Sequence, residues 1–194
     1  MIGSVAQRRE AKLASIVAAA WELARTHGIG GLSLHALARE VGMRQPSLYA
    51  YFDSKLALYD AMFADGNRQL IDRVDALRLP SEPRKAMKAY MHTFIDFATE
   101  DQARQALLFQ RIIPGFEPSE ESYAVAQEFM ARSVAVMNAA GIVDQDDIDC
   151  FIAIIGGLVE RQQANDPGGT RWIRHVDQMI DMFLDDIKRR RRRQ

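Results

Sequence analysis

Residues 32–55 read LSLHALAREVGMRQPSLYAYFDSK, and their spacing decides the fold. Leu34, Leu37, Ala38 and Val41 recur at i, i+3, i+4 and i+7, the apolar face of a short helix. Ser33 stands just before that face, where a hydroxyl accepts an orphan backbone N–H. Gly42 stands just after it, where a residue of positive φ ends many helices. The pattern predicts a second short helix over about residues 44–51. Pro46 falls in its first turn, where a missing N–H costs little, and Leu48 and Phe52 supply its buried side. Two short helices around a Gly-containing turn form a helix-turn-helix, the motif that places its second helix in the DNA major groove.

Leu37, Ala38 and Gly42 make an LA-x-x-x-G core; Leu48, Tyr49 and Phe52 follow, then Ser54, Lys55 and Leu58 open the next helix. With the helix before it, this set resembles the DNA-binding domain of the TetR family of transcriptional regulators over about residues 9–62. Gln45 and Pro46 depart from that pattern, where small residues are frequent before the Leu-Tyr pair. The departure bears on base contacts rather than on the fold.

Working outward, the predicted helices cover about residues 8–27, 54–79, 84–99, 101–112, 119–140 and 144–164, and a last one runs from about 171 into the basic end. Gly28 and Gly30 stop the first; Pro80 and Pro83, Pro114 and Gly115, Gly141, and the turn Asn165–Gly169 punctuate the rest. No internal repeat and no strand pattern stands out. The reading is all-α, about nine helices: a helix-turn-helix domain at 1–54, a helical effector-binding and dimerisation domain at 55–187, and a basic tail at 188–194.

The chain has 194 residues, 48% hydrophobic and 26% charged, an ordinary globular composition. It shows no apolar run of membrane-spanning length and no apolar leader, and its one cysteine excludes an internal disulfide. A cytoplasmic protein without membrane contact is expected. Charge is uneven. Residues 1–56 carry seven Lys/Arg against four Asp/Glu, residues 57–187 twelve against twenty-two, and residues 188–193 are KRRRRR. A mildly basic head can approach phosphate, while an acidic body is repelled by it.

The resemblance implies a DNA surface made of Ser33, Arg44, Gln45, Ser47, Tyr49, Tyr51 and Lys55. Arg reads guanine and Gln reads adenine through paired hydrogen bonds; hydroxyls and a lysine near a helix start suit phosphate. The competing view of each is a solvated polar side chain. His27, His35, His92 and His175 lack ligand spacing, and no nucleophile–base pair appears, so neither metal, cofactor nor catalysis is expected. The body is rich in Met and Phe. Met87, Met91, Phe94, Phe97, Phe109, Phe129 and Met130 are candidates to line an apolar effector pocket, with Arg111 as a polar anchor; the alternative, favoured for any one of the Met and Phe residues, is a packed core.

The last two helices carry apolar stripes. Phe151, Ile155, Gly156, Leu158 and Val159, with Trp172, Val176, Met179, Ile180 and Phe183, suit a four-helix bundle with a second copy, as the family builds. The alternative is that both helices serve only the core of one protomer. Together these features imply a homodimeric repressor that reads a palindromic operator and is released by a small hydrophobic effector. An activator, a regulator without a ligand, a helical enzyme or carrier, and a nucleoid protein are the rivals.

Overall fold

The computed structural model describes residues 4–193, which form nine α-helices and one short 3-10 turn, with no strand among the described residues. The all-α expectation holds. No helix among the described residues is long and apolar enough to cross a membrane. The chain divides into two compact units, Met1–Arg68 with Asp101–Ala126 and Gln69–Glu100 with Gln127–Gln194.

The first unit opens with α1 (Val5–His27), which starts earlier than its apolar stripe suggests. Ser4 Oγ accepts from Gln7 N at 3.2 Å while Gln7 Oε1 accepts from Ser4 N at 2.8 Å, a reciprocal cap that satisfies two orphan donors. Next come α2 (Leu34–Glu40) and α3 (Gln45–Leu48). Ser33 Oγ caps α2 through Ala36 N, and Gly42 adopts φ +66 just beyond its end. The first part of α4 (Lys55–Asp75) and then α6 (Gln102–Phe109) complete this unit's helical frame.

Its core joins Ile16, Ala20, Trp21, Leu37, Leu48, Leu58 and Met62 to Ala103, Ala106 and Leu107. Trp21 is buried, and its Nε1 donates to Asp65 Oδ2 at 2.8 Å, which fixes α1 against α4. Gly66 is what allows α4 so close: a Cβ there would sit 3.1 Å from Leu108 and 3.3 Å from the Trp21 ring.

The second unit contains α5 (Pro83–Glu100), α8 (Gln145–Asn165) and α9 (Val176–Arg191), each packed on the other two. Helix α7 (Glu120–Ala140) begins in the first unit and ends in the second. The spacing of Tyr123, Ala126, Met130, Val134 and Met137 predicts that these point inward; the structure instead buries Ser122, Phe129, Ser133 and Met137 and leaves Tyr123 and Met130 exposed. Two buried serines hid the true stripe from an apolar count. They are tolerated because Ser133 Oγ donates to Phe129 O and meets Tyr90 OH at 3.1 Å.

At the α8–α9 corner the buried Gln162 accepts from Trp172 N at 2.9 Å and Ile173 N at 3.3 Å through one oxygen, and its amide donates to Asp166 O. The 3-10 turn Ile173–His175 follows, so the last α-helix starts at Val176 rather than near Arg171. It also ends later than a tail at 188 implies: Lys188 to Arg191 form its last turn. Cations there complement the negative helix end. Arg190 additionally bridges Asp186 at 2.9 Å and Asp147 at 2.7 Å, and Arg191 reaches Gly141 O at 2.8 Å.

Candidate nucleic-acid interface

Helix α3 has only four residues, shorter than the span over 44–51 expected from sequence. Arg44 is its extended N-cap, at φ −77 and ψ 143, and Pro46 sits in the first turn. At the other end Tyr51 N and Phe52 N both donate to Leu48 O, at 2.9 and 3.1 Å, so residues 49–51 close as a turn rather than continue the helix. Leu48 and Phe52 point into the core as expected.

That geometry leaves a polar row outside. Ser33, Arg44, Ser47 and Tyr49 are exposed; Gln45, Tyr51 and Lys55 are half-buried. His35, exposed on α2, lies 3.4 Å from Gln45 Oε1. An amide held there by an imidazole is steadier than a free one, which favours a fixed hydrogen-bond pattern toward a base edge.

Lys55 is anchored as well. Its Nζ donates to Gly30 O at 3.2 Å and stands 5.4 Å from the centre of the Tyr59 ring, while Tyr59 OH donates to Ile29 O at 2.7 Å. Nearby, Ser54 Oγ accepts from Ala57 N at 3.1 Å, capping α4. The ammonium is therefore placed beside a helix start, where an anion is stabilised by dipole and charge together. A cleft of about 230 Å³ opens beside it, lined by Gly30, Lys55, Leu56, Tyr59, Ile112, Ile113 and Pro114.

Two cations escaped the sequence reading. Arg9 Nη2 donates to Ala50 O at 3.0 Å, with its guanidinium 5.1 Å from the Tyr51 ring centre, and Lys12 Nζ donates to Val41 O at 3.3 Å. The partners lie 41 and 29 residues away in sequence, so no local spacing announces them. A third feature was equally silent: the Asp60 carboxylate on α4 accepts from Ser119 N at 2.7 Å and from the Ser119 and Ser122 hydroxyls at 2.8 and 2.9 Å, tying the start of α7 to α4.

The candidate effector residues are divided. In the second unit Met87, Met91 and Phe97 are fully packed, and Phe129 stacks on Phe94 at 5.7 Å and on Tyr90 at 6.4 Å between centroids. Met130 is exposed. Phe109 and Arg111 belong to the first unit and are exposed.

The candidate dimer residues divide by face. Phe151, Ile155, Leu158, Val159, Val176 and Ile180 are buried within their own protomer, against the neighbouring helices of the second unit. Their apolar area is already covered, so they are not free to form an interface. What α8 leaves open is the opposite stripe, Ile152, Ala153, Gly156 and Gly157, and a Cβ on either glycine would meet nothing within 4 Å. On α9, Met182 is exposed, and Met179 and Phe183 are half-buried, as is Trp172 before it. The stripes went to the core because α8 is apolar nearly all round, and periodicity cannot say which side faces inward.

Comparison with known proteins fits this geometry. Residues 16–62 match the family described as bacterial regulatory proteins, tetR family. The HTH-type transcriptional regulator Rv1816 of Mycobacterium tuberculosis is 31% identical over 73% of this chain. The chain spans 63% of that relative's length. Tetracycline repressor protein class A of Escherichia coli is 26% identical over 81% of the chain and 70% of the repressor. Among solved structures, BioQ with its double-stranded DNA operator superposes with a TM-score of 0.62 at 21% identity, covering 89% of this chain and 96% of BioQ, a likeness of fold. The helix-turn-helix residues, the all-α frame and these matches agree: residues 16–62 are a TetR-family helix-turn-helix, and the chain around them is similar to TetR-family regulators.

Proposed function

We propose that this protein is a homodimeric, sequence-specific DNA-binding repressor whose two heads read the halves of a palindromic operator. The observation that carries it is the polar row Ser33, Arg44, Gln45, Ser47, Tyr49, Tyr51 and Lys55 on a buttressed α2–α3 pair. Residues 1–54, with Lys55 just beyond them, supply that surface, residues 55–187 also the effector site and dimer contacts, and the basic end at 188–194 lies beyond them. Arg44 and Gln45 read bases; the hydroxyls and Lys55 hold phosphates. The BioQ structure with its operator supports the DNA partner, and the tetracycline repressor supports the sign of regulation.

The second copy docks on the outer stripe of α8 and α9: Ile152, Ala153, Gly156, Gly157, Met179 and Met182. Small residues there let helix backbones approach, and an exposed Met and Ile side chain gain by being covered. The effector is a small hydrophobic molecule. The aromatic stack of Tyr90, Phe94 and Phe129 is the part of the second unit that opens to admit one. Binding there favours a head spacing that no longer fits the operator, a population shift between two dimer states.

The test is selection of duplexes from a random library by the full chain, then anisotropy titration of the enriched duplex and its scrambled form at one salt concentration. A repressor of this kind prefers the enriched duplex by about a thousandfold or more. Equal affinity for both refutes sequence-specific reading. A hydrophobic compound library then tests the effector: a ligand that raises the melting temperature must also release the duplex.

A further inference from the structure

We infer that Arg9 and Lys12 are positioning residues of the DNA-reading pair, each holding a carbonyl at or just past the end of one of its two helices; the inference rests on the DNA-binding reading. Val41 is the C-cap of α2, and Lys12 Nζ lies 3.3 Å from its oxygen. Ala50 lies in the turn that closes α3, and Arg9 Nη2 lies 3.0 Å from its oxygen. Carbonyls at a helix end have no intrahelical donor, and a cation beside them also meets the negative end of the dipole. Arg9 and Lys12 are three residues apart, hence neighbours on one face of α1. The partners lie 41 and 29 residues further along the chain.

One helix thus sets the separation of the two helix ends. It is a firm reference, because Ile16, Ala20 and Trp21 further along α1 are buried in the core of the same unit. Helix α3 needs such a reference. With four residues it has almost no internal ladder, and a helix that short takes its direction from outside. Arg9 adds a second hold by stacking on Tyr51, whose ring lies 5.1 Å away. The aim of Arg44, Gln45 and Ser47 therefore depends on an arginine that gives its Nη2 donor to protein.

The rival role for Arg9 is a direct phosphate contact, and the two differ in measurable ways. Arg9→Met keeps the apolar stem and loses charge and donor; Arg9→Lys keeps the charge and loses the planar fork. Both are made in the full chain. Amide hydrogen exchange is followed over residues 45–52, and affinity for the duplex that the wild type enriches from a random library is measured across a salt series. A positioning role predicts that Arg9→Met speeds exchange at residues 49–52 by about tenfold, the equivalent of one lost hydrogen bond. It predicts a similar loss of affinity for the enriched duplex, with unchanged affinity for scrambled DNA and an unchanged salt slope. Arg9→Lys falls nearer to Arg9→Met than to wild type.

A slope lowered by about one per protomer, with equal loss on every duplex and recovery in Arg9→Lys, makes Arg9 a phosphate contact and overturns the inference. Unchanged exchange over residues 45–52 overturns it too. If the wild type enriches no duplex, the DNA-binding reading fails by itself, and the exchange data still decide whether Arg9 braces α3.

Discussion

The Phe183 ring meets the Phe151 ring edge-on within one protomer, their centroids 5.4 Å apart. Phe151 is 1% exposed, so its apolar area is spent on the core and not on a partner. Phe151→Ala should cost about 3–5 kcal/mol of stability, since the cavity it leaves cannot fully collapse. Ile152, on the opposite side of the same helix, should behave differently. Ile152→Asp places a charge in the proposed interface and should give a folded monomer with little change in far-UV circular dichroism. Urea titration checks the first and sedimentation velocity at micromolar concentration the second. An Ile152→Asp variant that remains a dimer would show that the outer stripe is not the interface.

Gly42 marks the turn between α2 and α3 at φ +66, with nothing within 4 Å of where a Cβ would stand. Gly42→Ala therefore carries a backbone cost and no steric one. Denaturant titration should show a loss of about 1 kcal/mol, the penalty for a left-handed L-residue. A loss several times larger would mean that the side chain meets something the structure leaves open.

Lys88 and Arg84 on α5 pair with Asp181 on α9 at 2.7 and 3.0 Å. The Lys88 hydrogen bond, against the opposing effect of burial, holds the Asp181 carboxyl below its usual range. A depressed carboxylate adds stability that is complete above its unfolded value, near pH 4, and is lost as pH falls through the folded value. The pair is partly exposed, so solvent screening limits the gain to under about 1 kcal/mol. Lys88→Met should lower stability at about pH 6 and reduce the further loss on acidification to about pH 2.5. Urea titrations at the two pH values read this directly, and identical acid losses in both proteins would remove the linkage.

On the DNA surface, Lys55→Ala should weaken binding to all duplexes and lower the salt slope by about one unit. Tyr49→Phe removes one hydroxyl and should weaken binding uniformly without disturbing the dimer. Arg44→Ala should instead relax preference at one base pair per half-site, at a cost of about 1–3 kcal/mol. Anisotropy against a panel of single-base variants separates these outcomes. Uniform loss for Arg44→Ala would move that residue from base to backbone.

The helix-turn-helix was legible because its signals are local. Ser33 caps α2, Gly42 ends it, and Leu37, Ala38, Leu48 and Phe52 fill the core at the spacing read from the chain. What was not legible depends on partners far away in sequence. The early stop of α3 goes with the turn at Tyr49–Tyr51, where Ala50 O accepts from Arg9, 41 residues earlier in the chain. The α7 stripe was misjudged because buried Ser122 and Ser133 looked like surface residues until Asp60 and Tyr90 were seen beside them. Helix α8 presents apolar residues on two sides, and only packing against α5 and α9 shows that Phe151 and Ile155 face inward while Ile152 and Gly156 face out.

The central claim is that two heads on one dimer read two halves of one site. Hydroxyl-radical footprinting on the duplex enriched by the wild-type chain tests it most directly, with native mass spectrometry of the same complex. Two protomers per duplex and two symmetric zones of protection are expected, their centres about one helical turn of DNA or a multiple of it apart. One protomer on one uninterrupted zone, or no protection on any duplex at low salt, would contradict it.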